Sequence, residues 1–267
     1  MLKRYDNTNP VMLNSAVCFV DILGFSQLIK DSFQQGTGND LLKRLHKSLN
    51  EKIAELRPRE DYVGVLKSFT DNIIIGKPIH EDGESQLGGI FLDFAAYQLS
   101  LTLEGFFVRG GVSIGEYYGD EEFAFGPALL KAYELESIHA KNPRIILSNE
   151  VVSLVNLHIG YYAEPMWAPQ VRDLLKDNTD GKWFINYLEA TMGDREPNDY
   201  VEAHSILQRH KEIIEHNLAK HKGNPKIYPK YEWAAQYHNY FCDLNSNAIV
   251  QYPKIAGIPN GNFSLIV

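Results

Sequence analysis

The chain has 267 residues, of which 22% are charged and 44% hydrophobic, with a formal net charge of −8. That length and composition suit one large globular domain, or a core domain with a sizeable extension. The acidic balance argues against wrapping nucleic acid, which needs clustered Lys and Arg, and no run of 18 apolar residues predicts a membrane span.

The two cysteines, Cys18 and Cys242, form no CxxC pair, so neither a disulfide framework nor a zinc site is expected. Cys18 sits in an apolar run and reads as a small buried hydrophobe. The N-terminal MLKRYDNTNP lacks the apolar core of a signal peptide, and a cytoplasmic location is expected.

The first predicted element is AVCFVDILGF (16–25), an apolar, β-branched run ending at an Asp and a Gly. It reads as a buried strand turning into a loop or helix start. DLLKRLHKSLNEKIAEL (40–56) puts Leu41, Leu42, Leu45, Leu49, Ile53 and Leu56 on one helical face, with Asp40 as N-cap. Two β-rich runs, YVGVLKSF and NIIIG, flank Thr70-Asp71-Asn72 and read as a β-hairpin ended by Pro78.

A second helix is predicted over 85–105, then a long strand over 106–119 with glycines where another backbone approaches. A third helix follows over 126–140, with Pro127 in its first turn, and a short strand over 144–148. The order β-α-β-β-α-β, then α-β, is the ferredoxin-like split pattern. The fold class expected is therefore α+β, with a ferredoxin-like βαββαβ core.

Later signals are weaker. A strand candidate lies in 181–190, an amphipathic helix spans 199–221, and an aromatic-rich helix spans 228–247. A boundary at 191–198, marked by Gly193 and Pro197, divides a domain of 12–190 from a mostly helical C-terminal extension of 191–267, packed on the core or at a dimer interface. His204, His210, His216 and His221 lack the i,i+4 spacing of a shared metal ligand and read as a solvated helix face. The aromatic segment 228–241 is expected to pack the tail onto the core or make dimer contacts, not to stack bases.

The chemistry centres on Asp21 and Asp71, 50 residues apart. On the expected topology the end of the first strand lies beside the tip of the neighbouring hairpin, so the two carboxylates converge at one sheet edge. Oxygen ligands of this kind suit magnesium or manganese, which leave positions open for substrate phosphates. Singly, each Asp is better explained as a turn or cap residue, and the pair on this topology is what points to a site.

Four segments in order resemble the class III nucleotide cyclases. FVDILGF (19–25) is similar to their first metal motif and LKSFTDNIIIG (66–76) to the hairpin carrying the second metal Asp. VRGGVSIGEYYG (108–119) is similar to the following Arg-x-Gly strand, and FGPALLKAYELES (125–137) to the next helix. The resemblance implies that Asp21, Asp71 and the backbone carbonyl of Ile22 hold two manganese or magnesium ions, Asp21 and Asp71 being catalytic. It implies that Gly24 and Phe25, with Ser26, open a helix whose N–H groups meet the β- and γ-phosphates, and that Arg109 contacts the nucleotide.

Several positions depart from the family. Lys67 stands where purine cyclases read the base, but Phe123 replaces the polar partner. Leu130 and Glu134 stand where the transition-state Asn and Arg are expected, and Thr70 replaces a Gly. The elements RGGVSIG and GPALLKAYELE resemble the Pycsar pyrimidine cyclases of bacterial antiphage defence. That resemblance implies conversion of UTP to cyclic UMP and pyrophosphate, in a homodimer with two composite active sites. The product would be sensed by an effector protein. Phe69, Phe123 and Tyr117 are candidates for narrowing the base pocket to a pyrimidine. A cytidylate cyclase, an adenylate or guanylate cyclase, and a catalytically inactive nucleotide-binding module remain as alternatives.

Overall fold

The computed structural model describes residues 3–56, 65–69, 71–246 and 250–267; the side chains of 49–56, 65 and 67–69 lie outside the description. Thr70 also lies outside it. The centre of the sheet is β1 (Leu13–Ile22), an apolar run long enough to be buried on both faces. It pairs antiparallel with β3 (Asn72–Pro78) on one side and β4 (Val108–Gly119) on the other. β2 (Val65–Phe69) closes the hairpin with β3.

Between β1 and β2 run α1 (Phe25–Gln34) and α2 (Gly38–Leu56), and α3 (Glu84–Leu103) joins β3 to β4. The result is the expected βαββαβ unit, with spatial order β2-β3-β1-β4. β5 (Ala124–Phe125) folds back on the end of β4, and α4 (Pro127–Glu134) continues as a π-turn over Leu135–His139.

The sheet then extends past β4. β6 (Ile145–Leu147) lies parallel to it, and α5 (Asn149–Ile159) follows. After the short α6 (Gln170–Asp173), β7 (Leu174–Asp177), β8 (Trp183–Ile185) and β9 (Phe263–Ser264) add antiparallel in the order β8-β7-β9. Two long helices, α7 (Pro197–Lys220) and α8 (Tyr228–Asn245), lie between β8 and β9 in the chain.

Strand alternation divides β1 between two cores. Ala16, Cys18, Val20 and Ile22 face the main cluster, which also takes in α3, α7 and α8. Val17 and Phe19 face a smaller cluster under α4, with Tyr117, Ala128 and Ala132. Close approach of α4 depends on Gly111, where an added Cβ would stand 2.5 Å from the Ala132 carbonyl oxygen and 2.5 Å from the Leu135 Cβ. The aromatic residues of α8 pack inward as expected: Trp233 and Tyr237 lie against Phe184 and Phe263. A buried ion pair ties this half together. Arg144 bonds Asp177 at 2.7 Å, reaches Asp180, and is covered by the rings of Phe184 and Trp233, while Trp233 Nε1 donates to Asp177 at 2.9 Å.

Three sequence expectations are corrected. Asp40 is not the N-cap of α2, which begins at Gly38 and leaves Asp40 in the first turn, its amide bonded to the Thr37 carbonyl. Leu42 is exposed, unlike Leu45 on the same helix. His210 is buried rather than solvated, because α7 is covered on that face by α8 and by the segment Tyr187–Thr191.

The His210 contacts form a chain: Tyr187 Oη to Nε2 at 2.8 Å, and Nδ1 to Nδ1 of His238 at 2.9 Å. His238 Nε2 then meets the Pro253 carbonyl at 2.8 Å. A carbonyl only accepts, so His238 carries its proton on Nε2 and accepts at Nδ1 from His210, whose Nε2 accepts from Tyr187. Both rings are neutral. Burial, followed by the neighbouring His238, lowers His210 well below the usual range, and burial pushes His238 down to about 4.

Two predictions follow from this packing. Gly111→Ala forces the π-turn away from β4 and lowers unfolding free energy by about 1–3 kcal/mol, as overpacking does, read by urea melts. His238→Phe leaves a buried donor and a buried acceptor unpaired and costs about 1–3 kcal/mol at pH 7.5. Below pH 6.5 the unfolded histidine takes up a proton that the folded one refuses, so the wild-type advantage over this variant shrinks as pH falls from 6.5 towards 4. A gap that is flat over that range refutes the neutral chain.

Candidate active site

Asp21 is the penultimate residue of β1, and the β1–β4 register sets it directly opposite Arg109. β1 and β3 pair as far as Val20 and Ile73, and Asn72 faces Phe69 in the hairpin, so Asp71 at the β2–β3 tip stands beside the end of β1. The two carboxylates meet there and share a hydrogen bond. Asp71 is only 8% exposed. Burial is the largest cause pushing the Asp21 carboxyl up, to about 7, followed by the hydrogen bond to Asp71, the Asp71 charge and the Glu136 charge; Arg109 pulls the other way.

Arg109 spans the site, with Nη2 3.5 Å from Asp21 Oδ2 and Nε 2.7 Å from Glu136 Oε1. Glu136, 3% exposed, comes from the π-turn that Gly111 allows to approach β4. Burial holds its carboxyl above the usual range, with Arg109 opposing and Asp71 adding to the shift. The sequence reading missed Glu136, although Ala128, Ala132 and Glu136 follow the i, i+4, i+8 spacing of one helix face. It also missed Tyr97 of α3, a buried hydroxyl with no hydrogen-bond partner among the described residues, whose proton is held by burial and by the charges of Asp71 and Asp21.

The other expected residues divide. Ile22 follows Asp21 and buries its side chain in the main core. Gly24 adopts φ 76°, a left-handed conformation that suits glycine, and starts α1 without a side-chain cap. The amides of Phe25 and Ser26 therefore head that helix beside the carboxylates, and the Phe25 ring packs on the core. Lys67 and Phe69 lie on β2 opposite Ile74 and Asn72, with side chains outside the described residues.

Phe123 is not at this end of the molecule. It sits in the turn after β4, its amide bonded to Asp120 at 3.0 Å, 52% exposed, with its ring against Tyr118. The ten residues from Arg109 to Gly119 carry it roughly 30 Å along the strand from Asp21. Tyr117 is fully buried between Gly76 and Tyr5, so it does not narrow a base pocket. Leu130 is 70% exposed, and Glu134 is bound to its own helix through Lys131 at 3.1 Å and His139 at 3.6 Å.

Two carboxyls that hydrogen-bond through one held proton offer, once it leaves, four oxygens where like charges oppose each other, and a divalent cation fits that donor set. Among the described residues no group of three or more His, Cys, Asp or Glu side chains is arranged to hold a metal. No helix among the described residues is long and apolar enough to cross a membrane.

No protein-family model and no curated protein matches the sequence. Among solved structures, the chain is similar to a class III adenylyl cyclase-like ATP-binding protein from Pseudomonas aeruginosa, at 16% identity and a TM-score of 0.42 over 56% of this chain. The chain spans 37% of that protein's length. It is also similar to an adenylate/guanylate cyclase/hydrolase from Silicibacter pomeroyi, at 16% identity and a TM-score of 0.39, over 66% of this chain and 95% of that one. Likenesses of this size carry no conclusion about activity, which rests on the residues of the site.

Proposed function

We propose that this chain is a pyrimidine nucleotide cyclase that converts UTP to 3′,5′-cyclic UMP and pyrophosphate. The carrying observation is the meeting of Asp21 and Asp71 at the end of β1, beside Arg109 and the start of α1. Asp21, Asp71 and the Ile22 carbonyl would hold two manganese or magnesium ions. Bound there, the ions supply activation of the attacking oxygen and charge neutralisation on the leaving phosphates. The head of α1 at Gly24 and Phe25 binds the phosphates, and Arg109, steadied by Glu136, directs a planar pair of donors at the nucleotide.

The same reading makes the active form a homodimer. Phe123 stands too far along β4 to serve its own chain's carboxylates, and only a second copy laid antiparallel brings it to them. Phe123, Phe125, Leu130 and Tyr133 are exposed apolar side chains on the β5–α4 surface, the kind of patch that marks an interface. The resemblance of RGGVSIG and GPALLKAYELE to the Pycsar cyclases supports a pyrimidine substrate and a role in antiphage signalling, with the cyclic nucleotide read by an effector protein.

A second reading, a nucleotide-binding module without turnover, is favoured by one observation: neither Leu130 nor the Glu134 carboxylate can supply the hydrogen-bond donors that the resembled family places on this helix.

Incubation of the protein with each nucleoside triphosphate and Mn2+ should yield cyclic UMP and pyrophosphate from UTP, and at least about a hundredfold less from Asp71→Ala, since loss of electrostatic stabilisation at this level costs about 3 kcal/mol. UTP-dependent thermal stabilisation with no product from any triphosphate selects the binding module instead. Leu130→Asp should shift the protein from dimer to monomer in light scattering and lower activity with it; a variant that stays dimeric rules out this surface.

A further inference from the structure

Where α7 turns into α8, the chain folds back over the β1–α1 turn and encloses a cavity of about 260 Å³. Its walls carry Arg44, Lys220 and Lys230, with the imidazoles of His216 and His221. Against these stands one carboxylate, Asp31, already accepting a hydrogen bond from Gln27 at 2.6 Å. In a protein of net charge −8 such a gathering of cations is a local reversal of sign.

The cations are also poorly compensated. Lys220 and Lys230 make no ion pair among the described residues, while Arg44 spends one nitrogen on the Glu104 carbonyl and lies over the Phe106 ring. Lys230 is half-buried, and burial, then the charge of Arg109, holds its ammonium below the ordinary range. A partly desolvated ammonium that forms no ion pair among the described residues is unfavourable until an anion joins it. The same cavity is lined by Leu23 and Gly24, the residues that follow Asp21 and Ile22. Its size falls below the roughly 300–1,000 Å³ of sites that enclose a whole drug-sized ligand, so it suits one end of a longer one.

We propose that the α7–α8 elbow binds the terminal phosphates of the nucleotide, with Lys230 and Lys220 as the contacting cations. This rests on the nucleotide reading above. It gives the C-terminal helices a part in substrate binding: they bring positive charge to a site whose own helix, α4, carries Leu130 and Glu134.

The test is calorimetric titration of the full-length protein with inorganic triphosphate, for the wild type, Lys230→Met, the Lys220→Met/Lys230→Met double variant, and Lys226→Met as a control outside the cavity. Loss of one charge-assisted contact should weaken binding about tenfold in Lys230→Met and further in the double variant, with Lys226→Met unchanged. UTP should displace the inorganic triphosphate, and Lys230→Met should raise KM for UTP more than it lowers kcat. Equal thermal midpoints exclude misfolding; where Lys230→Met fails to fold, Lys230→Arg should retain binding and Lys220→Met alone should weaken it.

Unchanged triphosphate affinity in the variants overturns the proposal, as does failure of UTP to compete, which would make the cavity a separate anion site. Activity that Asp71→Ala abolishes and Lys230→Met leaves at the same KM overturns the elbow's role while the cyclase reading stands. Triphosphate binding that depends on Lys230 and yields to UTP, in a protein that turns over no triphosphate, supports the elbow and removes the cyclase.

Discussion

The register of β1 between β3 and β4 is the constraint on which the rest depends. Side chains alternate along a strand, so the pairing that sends Ala16, Cys18, Val20 and Ile22 into the main core also sends Val17, Phe19 and Asp21 to the α4 side. A slip of one residue would bury Asp21 among the core hydrophobics and bring Ile22 opposite Arg109. Burial of the apolar residues therefore fixes where the carboxylate stands. The energy that holds the site is hydrophobic, and it is spread along the whole strand rather than located at the aspartates.

That division also explains which parts were legible in the sequence. The βαββαβ order could be read because each element has a strong period: a β-branched run at 16–22, a leucine stripe on α2, and an apolar run on α3. Asp21 and Asp71 stand at the ends of such elements, where topology alone brings them together. Of the short later strands, β8 falls within the strand expected in 181–190, whereas β7 and β9 span four residues or fewer, too few for a period, and form only by adding to an existing sheet edge. Arg144 offered no signal at all, since its partners Asp177 and Trp233 are placed by tertiary packing.

The burial of His210 has the same source. The helix carrying His210 looked solvated because its polar residues were counted as a face. Their burial depends on α8, which presents His238 to satisfy His210 in a dry interior. Phe123 matches a motif position, and the length of β4 sets it roughly 30 Å from its own chain's Asp21, a distance that a local motif does not contain. The residues read as one site thus belong to two ends of the chain's sheet.

Charge is what remains unbalanced at the carboxylate end. Asp21, Asp71 and Glu136 stand against the single guanidinium of Arg109, and all are largely removed from water. Such a cluster reaches neutrality either by taking up protons, as the raised Asp21 and Glu136 carboxyls indicate, or by admitting cations. The Arg144 network also sets two carboxylates against one guanidinium, but there Asp177 accepts further hydrogen bonds from Trp233 Nε1 and Thr179, and Asp180 reaches solvent. The contrast between these two networks in one molecule, one satisfied by donors and solvent and one whose three carboxyls face a single guanidinium, is the physical ground for reading the second as a binding site.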